Sequence, residues 1–208
     1  DLHRLIRRQR QMCIRDRLKI AQNVPLQEIE GVKSLSNNGT LLYKKGVQLN
    51  LDELPTPDYT DIPLKDYFNI ASLYTNRGCP NRCSFCGEWF LCGNKFRMRS
   101  PDLVVGDIEG VLEKFHPEYI IFGESLINAD LSYFETLCEK MAEKQFPIHF
   151  GCHFQAKITP DLARKAVKAG FDDAWVGVEA LTEEELTKVH KAVNVSENLQ
   201  AINAFTQV

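Results

Sequence analysis

Three cysteines occupy one short segment of the sequence. Cys79, Cys83 and Cys86 are separated by three and by two residues. Thiolates at such short spacing select zinc or iron–sulfur clusters over hard cations, because soft sulfur matches those metals and a short loop can wrap around them. The spacing therefore predicts a metal or iron–sulfur centre.

The number of ligands separates these two kinds of centre. A structural zinc site is closed by four ligands, and Cys92 is the nearby residue that could supply the fourth. Three cysteines alone instead leave a four-iron cluster with one iron open to a cofactor. The residues around Cys92 lack the paired-cysteine spacing of zinc ribbons, which favours the open cluster.

The CxxxCxxC loop, with Phe85 just before the third cysteine, resembles the motif of the radical S-adenosylmethionine (SAM) superfamily. The resemblance implies that Cys79, Cys83 and Cys86 ligate a 4Fe-4S cluster and that Phe85 packs beside the adenine of S-adenosyl-L-methionine. It also implies that an electron from the cluster cleaves SAM to a 5′-deoxyadenosyl radical. A donor such as flavodoxin or ferredoxin is then the expected protein partner.

Composition indicates a globular protein from a reducing compartment. The 208 residues carry a net charge of −3 and are 44% hydrophobic, which is enough for one domain or for one domain plus a fragment. Seven cysteines, an odd number, argue against a disulfide framework and favour a cytoplasmic location. No apolar run reaches the length of a membrane span, and no leader peptide pattern opens the chain. We expect neither a membrane nor a nucleic acid as partner.

The first seventeen residues differ from the rest of the chain. Six arginines lie within Asp1–Arg17, which could indicate a basic arm that binds nucleic acid. The run Met12–Arg17 resembles the translation of a transposon adapter used in DNA sequencing. We therefore expect residues 1–17 to be an artefact or disordered, and the chain to be a metagenomic gene fragment.

Residues 18–70 show turn signals without a periodic core pattern. Asn37-Asn38-Gly39 predicts a short hairpin between Ile29–Val32 and Thr40–Tyr43. The proline-rich stretch Leu51–Tyr59 predicts an extended segment. It resembles the connector after the N-terminal cobalamin-binding domain of one large radical SAM group, although an ordinary surface linker explains it equally well. We expect residues 18–70 to be a linker after a domain that this sequence lacks.

From residue 71 onward, strand and helix patterns alternate, which predicts parallel βα units. The expected strands are Ala71–Asn76, Tyr119–Glu124, Pro147–Gln155 and Asp173–Glu179. Helices are expected after the caps Ser100, Thr159 and Thr182, over Leu131–Gln145, and from Ser196 with Leu199, Ile202 and Phe205 on one face. The fold class is α/β. The resemblance implies a partial TIM-type barrel, with residues 71–208 a radical SAM core domain truncated after about four βα units and inactive alone.

Strand alternation predicts which side chains face the barrel lumen. Alternate residues of a strand share one face, and barrel active sites lie at the carboxyl ends of the strands. His153 and Gln155 fall on the lumen face of the third strand, and Trp175 and Glu179 on that of the fourth. Glu124 falls at the end of the second strand.

The resemblance assigns roles to three of these residues. Gly123-Glu124 resembles the second-strand motif that holds the SAM ammonium, although Phe122 replaces its first glycine. Glu179 resembles the glutamate that contacts the ribose hydroxyls, and Gln155 a residue that contacts the SAM carboxylate or the substrate. Both glutamates also fit ordinary strand-end carboxylates that cap helices.

Two functions follow from these patterns. The first is a radical SAM enzyme fragment, for which methyl transfer is one outcome if a missing N-terminal domain binds cobalamin, and ring formation and rearrangement are others. Its substrate is an unidentified small molecule or peptide. The second is a non-catalytic zinc or iron–sulfur module that Cys92 closes.

Overall fold

The computed structural model describes residues 14–36, 38–44 and 49–208. The chain divides into two compact units, with the boundary between Leu49 and Asn50. Among the described residues, no helix combines the length and the apolar composition that crossing a bilayer requires.

The first unit consists of short elements. They are α1 (Ile14–Ala21), a single 3-10 turn (Leu26–Glu28), and the antiparallel strands β1 (Lys33–Leu35) and β2 (Leu41–Tyr43). An antiparallel hairpin is present, as predicted, but the predicted first strand, Ile29–Val32, is wrong. These residues form a turn in which the N–H of Val32 donates to the carbonyl of Ile29 at 3.3 Å and Gly31 has a φ of +81°, so the strand begins at Lys33. Residues 1–13 and Asn37, on which parts of these predictions fall, lie outside the described residues.

The second unit contains the predicted alternation of strands and helices. The unit begins with two 3-10 turns, Leu51–Glu53 and Leu64–Tyr67. In chain order, its α-helices and β-strands are β3 (Ile70–Leu73), β4 (Asn76–Arg77), α2 (Glu88–Leu91), β5 (Arg97–Met98), α3 (Pro101–Phe115), β6 (Tyr119–Phe122), α4 (Leu131–Lys144), β7 (His149–Gln155), α5 (Pro160–Lys168), β8 (Phe171–Gly177), α6 (Glu183–Lys188) and α7 (Val195–Thr206).

The centre of this unit is a four-stranded parallel sheet in the order β3-β6-β7-β8. Each of α3, α4 and α5 lies in the connection between two neighbouring strands, as parallel βα units require. The predicted α/β fold with a parallel sheet is therefore confirmed. β4 and β5 form a separate antiparallel pair, with Arg77 opposite Arg97.

The apolar stripes of the helices form one core with the sheet. The buried helix residues are Val104, Ile108 and Val111 from α3, Phe134, Leu137, Cys138 and Met141 from α4, and Leu162, Ala163 and Ala166 from α5. Phe122, Phe150 and Phe171 contact one another through their rings, with centroids 5.7–5.8 Å apart. Burying these side chains stabilises the packing of the helices on the sheet, because each strand presents an apolar face to the helix layer.

Three of the four parallel strands end earlier than the sequence predicts, whereas β7 ends at Gln155 as predicted. β3 stops at Leu73, and the following residues turn away to form β4. β6 stops at Phe122 and β8 at Gly177. Glu179 has a positive φ of 63°, which a strand cannot contain. The two predicted strand-end glutamates therefore lie in the turns after their strands.

The last helix is rotated relative to the prediction. α7 begins at Val195, with Asn194 and Glu197 as a capping box, whereas Ser196 was expected to start it. Leu199 and Ile202 are 51% and 38% exposed, so the predicted apolar face is wrong for these two residues, whereas Phe205 packs against Phe154 with ring centroids 5.1 Å apart. The buried face instead includes Asn198, whose amide nitrogen donates to the carbonyls of Val178 and Ala180, both at 3.1 Å. Those two bonds satisfy carbonyls in the turn after β8, and they set the rotation of the helix.

The proline-rich segment packs against α3 within the second unit. The hydroxyl of Tyr59 donates to the carbonyl of Ser72 in β3, and its ring contacts Phe115 at 5.5 Å. Asp52 accepts from the backbone N–H of Ser100 at 2.6 Å. The side chain of Ser100 makes no capping hydrogen bond, contrary to the prediction. The N-terminus of α3 is held by Asp52 instead.

Candidate functional site

The cysteine loop follows β4 directly and is closed by backbone hydrogen bonds. The N–H of Cys79 donates to the carbonyl of Gly93 at 3.1 Å, and the N–H of Ser84 donates to the carbonyl of Val189 at 2.9 Å. Gly78 has a φ of +89°, and a Cβ there would meet the carbonyl oxygens of Lys95 and Gly93. Only glycine fits at this entry to the loop.

Cys79, Cys83 and Cys86 line one cavity at the carboxyl ends of β7 and β8, together with Phe85. The structure thus brings together the three predicted cluster ligands and the predicted adenine contact. The polar and aromatic lining also includes Asn81, Glu88, Trp89, Ser125, His153, Gln155, Trp175, Glu179 and Lys191. The alternation argument correctly placed His153, Gln155 and Trp175 on the cavity side. Glu179 also lines the cavity, but from the turn after β8, where alternation no longer applies.

The protein environment determines the protonation of the thiols. Burial raises the pKa of Cys79, although a hydrogen bond from the backbone of Asn81 opposes the shift. Burial also raises the pKa of Cys83, and the nearby Lys191 ammonium opposes it. The backbone N–H of Glu88 donates to Sγ of Cys86 at 3.4 Å. Cys79 and Cys83 are therefore thiols at neutral pH, and binding a soft metal must release their protons.

The chemistry of the donor set fits a 4Fe-4S cluster. A single zinc requires its sulfur ligands to converge to about 2.3 Å from one point. In a 4Fe-4S cluster each cysteine binds a different iron, so three thiols need only surround one larger cavity. The donor set on this cavity meets that requirement.

Cys92 lies apart from the other three cysteines. It is absent from the lining of the cavity, and the charged side chains that affect the pKa of Cys92 are Glu88, Arg77 and Arg97. Burial is the main cause of its raised pKa. The structure therefore does not bring Cys92 to the position that a closed four-cysteine site requires.

Glu179 forms an ion pair inside the cavity. Its Oε1 accepts from Nζ of Lys191 at 3.0 Å, and the Lys191 side chain is only 11% exposed. A Cβ at Gly177 would lie 2.9 Å from that Nζ and 3.0 Å from that Oε1, so the pair crosses directly over this glycine. Lys191 was missed by the sequence analysis, because a single lysine after a short helix carries no motif.

Gln155 connects the sheet to the cysteine loop. Its Nε2 donates to the carbonyl of Ala192 at 3.3 Å, and its Oε1 accepts from Nδ2 of Asn81 at 3.5 Å. Asn81 lies between the first two cysteines of the loop. The rings of His153 and Trp175 also line the cavity, inclined at 38° to each other with centroids 5.2 Å apart. Gln155 is thus positioned by its own hydrogen bonds to support the loop from the sheet side.

Glu124 does not line the cavity. Its buried carboxylate accepts from the hydroxyl and the backbone N–H of Thr75, and from Nδ2 of Asn76 at 3.3 Å. Burial raises the pKa of Glu124 to about 7, although the Thr75 hydroxyl lowers it. Thr75 and Asn76 immediately precede the cysteine loop. The carboxyl group of Glu124 therefore stabilises the residues that lead into the cysteine loop. Its position outside the cavity does not support the predicted contact between Glu124 and the SAM ammonium.

A family model described as the radical SAM superfamily matches residues 73–208. Hopanoid C-3 methylase from Methylococcus capsulatus is 28% identical over 195 residues, covering 88% of this chain and 36% of that protein. Anaerobic magnesium-protoporphyrin IX monomethyl ester cyclase from Cereibacter sphaeroides is 27% identical over 162 residues, covering 73% and 26%. Both relatives are enzymes by name.

Two solved structures share the fold. The radical S-adenosylmethionine methyltransferase TsrM from Kitasatospora setae, with cobalamin and a 4Fe-4S cluster bound, superposes with a TM-score of 0.77 at 15% identity. The cobalamin-dependent S-adenosylmethionine radical enzyme OxsB superposes with a TM-score of 0.74 at 22% identity. Both matches cover 93% of this chain. The chain spans only 26–41% of the length of these four proteins.

Proposed function

Because the chain belongs to the radical SAM superfamily, we propose that Cys79, Cys83 and Cys86 hold a 4Fe-4S cluster whose fourth iron binds SAM. The observation that carries this proposal is that the three thiols line one cavity, while Cys92 does not. When bound, such a cluster supplies the electron that cleaves SAM to a 5′-deoxyadenosyl radical. The residues of this chain bind and orient the cluster and SAM.

The charges in the cavity suit the two ends of SAM. Lys191 is a nearly buried ammonium, so an anionic ligand group beside it gains a strong interaction. We assign Lys191 to the SAM carboxylate and Glu179 to the ribose hydroxyls, in keeping with the resemblance of its turn. Phe85 is 56% exposed and lines the same cavity, which leaves one face of its ring free for the adenine.

The surrounding sheet positions these groups without contacting the reacting atoms. Gln155 fixes Asn81 of the cysteine loop, and Glu124 fixes the residues before it. We propose that the four-stranded sheet is part of a (β/α) barrel with the cavity at the carboxyl ends of its strands, as in other barrel enzymes.

We further propose that the whole protein is a cobalamin-dependent radical SAM methyltransferase. The support is that TsrM is described as a methyltransferase with cobalamin bound, and that the first relative is a methylase. Cyclisation is the second candidate, because another relative is named as a cyclase. A product assay on the full-length protein with cobalamin and labelled SAM separates the two: transfer of the labelled methyl group to a substrate supports the first.

SAM affinity tests the assignment of the ion pair. Removing either charged partner in Glu179→Ala or Lys191→Met should weaken SAM binding by about 1.5–3 kcal/mol, roughly 10- to 150-fold, because each removes a charge-assisted hydrogen bond. The measurement is anaerobic calorimetry on chain that carries the cluster, with iron content determined alongside. Glu184→Ala, which breaks the exposed pair with Lys188, is the matched control and should bind SAM normally. Unchanged affinity in both cavity variants would assign the pair to structure alone.

A further inference from the structure

Trp89, just after the cysteine loop, carries a buried hydrogen-bond donor that has no acceptor. Its indole nitrogen, Nε1, is shielded from solvent, and within the part of the chain that the structure describes no group accepts from it. A buried donor without a partner is unfavourable, and native proteins leave few of them. Such an N–H therefore indicates an acceptor that a bound group supplies.

Trp89 lines the same cavity as the three predicted cluster ligands. It follows Cys86 by three residues and belongs to α2, whose first residue, Glu88, donates its backbone N–H to Sγ of Cys86 at 3.4 Å. The next two residues of α2, Phe90 and Leu91, are 77% and 69% exposed. Trp89 therefore lies on the side of this short helix that faces the cysteine loop, and its neighbours lie on the side that faces solvent.

The side chains next to Trp89 do not satisfy its N–H. Burial raises the pKa of Cys92 and a hydrogen bond to the Glu88 carboxylate raises it further, so that carboxylate accepts from a thiol. The ring of Phe90 meets the ring of Trp89 edge-on, with centroids 6.1 Å apart, and an aromatic ring is only a weak acceptor. The cavity offers sulfur acceptors instead, which are the cysteine thiolates and, once a cluster is bound, its sulfides.

We propose that the indole N–H of Trp89 donates a hydrogen bond to a sulfur atom of the bound cluster and thereby raises its reduction potential. This inference rests on the proposed function. An added electron makes the sulfur atoms more negative, so a donor beside them stabilises the reduced cluster more than the oxidised one. The N–H bond stays intact, and no proton is transferred.

The position of Trp89 in the chain favours the cluster over SAM as the acceptor. An indole N–H can only donate, so its partner must be an electron-rich atom. The groups that we assign to the charged and hydroxyl parts of SAM, Glu179 and Lys191, lie after β8. Trp89 instead lies in the same segment as the cysteines, where only two residues separate it from Cys86. That short connection keeps the indole beside the third cluster ligand.

The reduction potential of the cluster tests this hydrogen bond. Trp89→Phe keeps an aromatic side chain but lacks the N–H, so the reduced cluster should lose about three- to tenfold in stability relative to the oxidised one. For a one-electron couple, this change is a shift of about 30–60 mV to more negative potential. Phe90→Leu, the matched control on the exposed side of α2, should keep the wild-type potential. The measurement is an anaerobic redox titration of the whole chain with its cluster and without SAM, followed by electron paramagnetic resonance.

Hyperfine spectroscopy detects the donor without relying on the folding of Trp89→Phe. The chain contains two tryptophans, Trp89 and Trp175. In Trp175→Phe labelled with ¹⁵N in the indole ring, any coupling of the reduced cluster to indole nitrogen therefore comes from Trp89. We expect this ¹⁵N coupling in wild type and in Trp175→Phe, together with a coupling to a proton that exchanges in deuterium oxide.

Three outcomes would overturn the proposal. They are an unchanged potential in Trp89→Phe, an equal shift in Phe90→Leu, and hyperfine couplings that are absent or that appear only after SAM is added. The last result would assign the N–H to SAM. A wild-type chain that takes up no iron and sulfide would instead contradict the proposed function, and with it the acceptor that the N–H requires.

Discussion

The charged side chains buried around the cysteine loop each contact a specific partner. Glu124 accepts from Thr75 and Asn76, the nearly buried Lys191 pairs with the exposed Glu179, and the buried Arg99 pairs with Asp107 through two hydrogen bonds. A buried charge without such a partner would cost several kcal/mol, so these pairs are required once the fold buries them. Glu179 adds backbone strain at its positive φ, a cost that is commonly found at functional sites.

Glu124 should make stability depend on pH. Its folded pKa of about 7 lies above the usual value near 4.3, so the folded state favours the protonated carboxyl. The stability that this proton confers is complete below the unfolded pKa and is lost as pH rises through about 7. Between about pH 5 and pH 8 the free energy of unfolding should therefore fall, by up to about 3 kcal/mol.

Urea unfolding at the two pH values measures this effect. Glu124→Gln, which resembles the protonated carboxyl in shape and hydrogen bonding, should remove most of the pH dependence. The exposed Glu113→Gln should retain it. The same pH dependence in Glu124→Gln as in wild type would show that another group is responsible.

The cysteine loop is an element whose shape is set by backbone contacts at its entry. β4 and β5 clamp its two ends, and Gly78 passes directly beneath the carbonyls of Gly93 and Lys95. After β5, Arg99 connects the end of the loop to its neighbours, because it pairs with Asp107 of α3 and donates to the carbonyl of Leu51 in the proline-rich segment. The loop therefore depends on close backbone packing in addition to its cysteines.

Gly78→Ala should disrupt the loop while sparing the sheet. The new Cβ would meet two backbone carbonyls and would require a φ that alanine rarely adopts, so we expect a loss of about 1–3 kcal/mol and a large drop in bound iron. Gly106→Ala is the matched control, because a Cβ there meets nothing within 4 Å. This change in α3 should stabilise the protein by about 0.5–1 kcal/mol. Iron analysis and urea unfolding of both variants provide the check, and full iron content in Gly78→Ala would show that the glycine is not required.

At the scale of the whole second unit, the face of the sheet that lines the cavity follows from features that the sequence shows locally. Alternation with period two placed His153, Gln155 and Trp175 on one face, and the structure shows them lining one cavity with the cysteines. That argument needs only strand type and direction, which the apolar pattern supplies. The α/β class was predictable for the same reason.

The positions of the other site residues depend on the paths of the loops that connect the helices and strands. Lys191 reaches the cavity from an irregular segment after α6, and no pattern in one sequence fixes that path. Glu124 lies two residues beyond the end of β6, where alternation no longer applies. The rotation of α7 was set by a buried polar residue, Asn198, which a search for apolar stripes overlooks.

The most direct test of the central claim is the iron and acid-labile sulfide content after anaerobic reconstitution. Wild type should bind about four irons and about four sulfides per chain. The triple change of Cys79, Cys83 and Cys86 to Ala should abolish both, and Cys92→Ala and Cys138→Ala should leave both intact, because Cys92 lies outside the cavity and Cys138 is a core residue. Stoichiometric zinc without sulfide, or a loss of iron in Cys92→Ala equal to that in the triple variant, would contradict an open three-cysteine cluster.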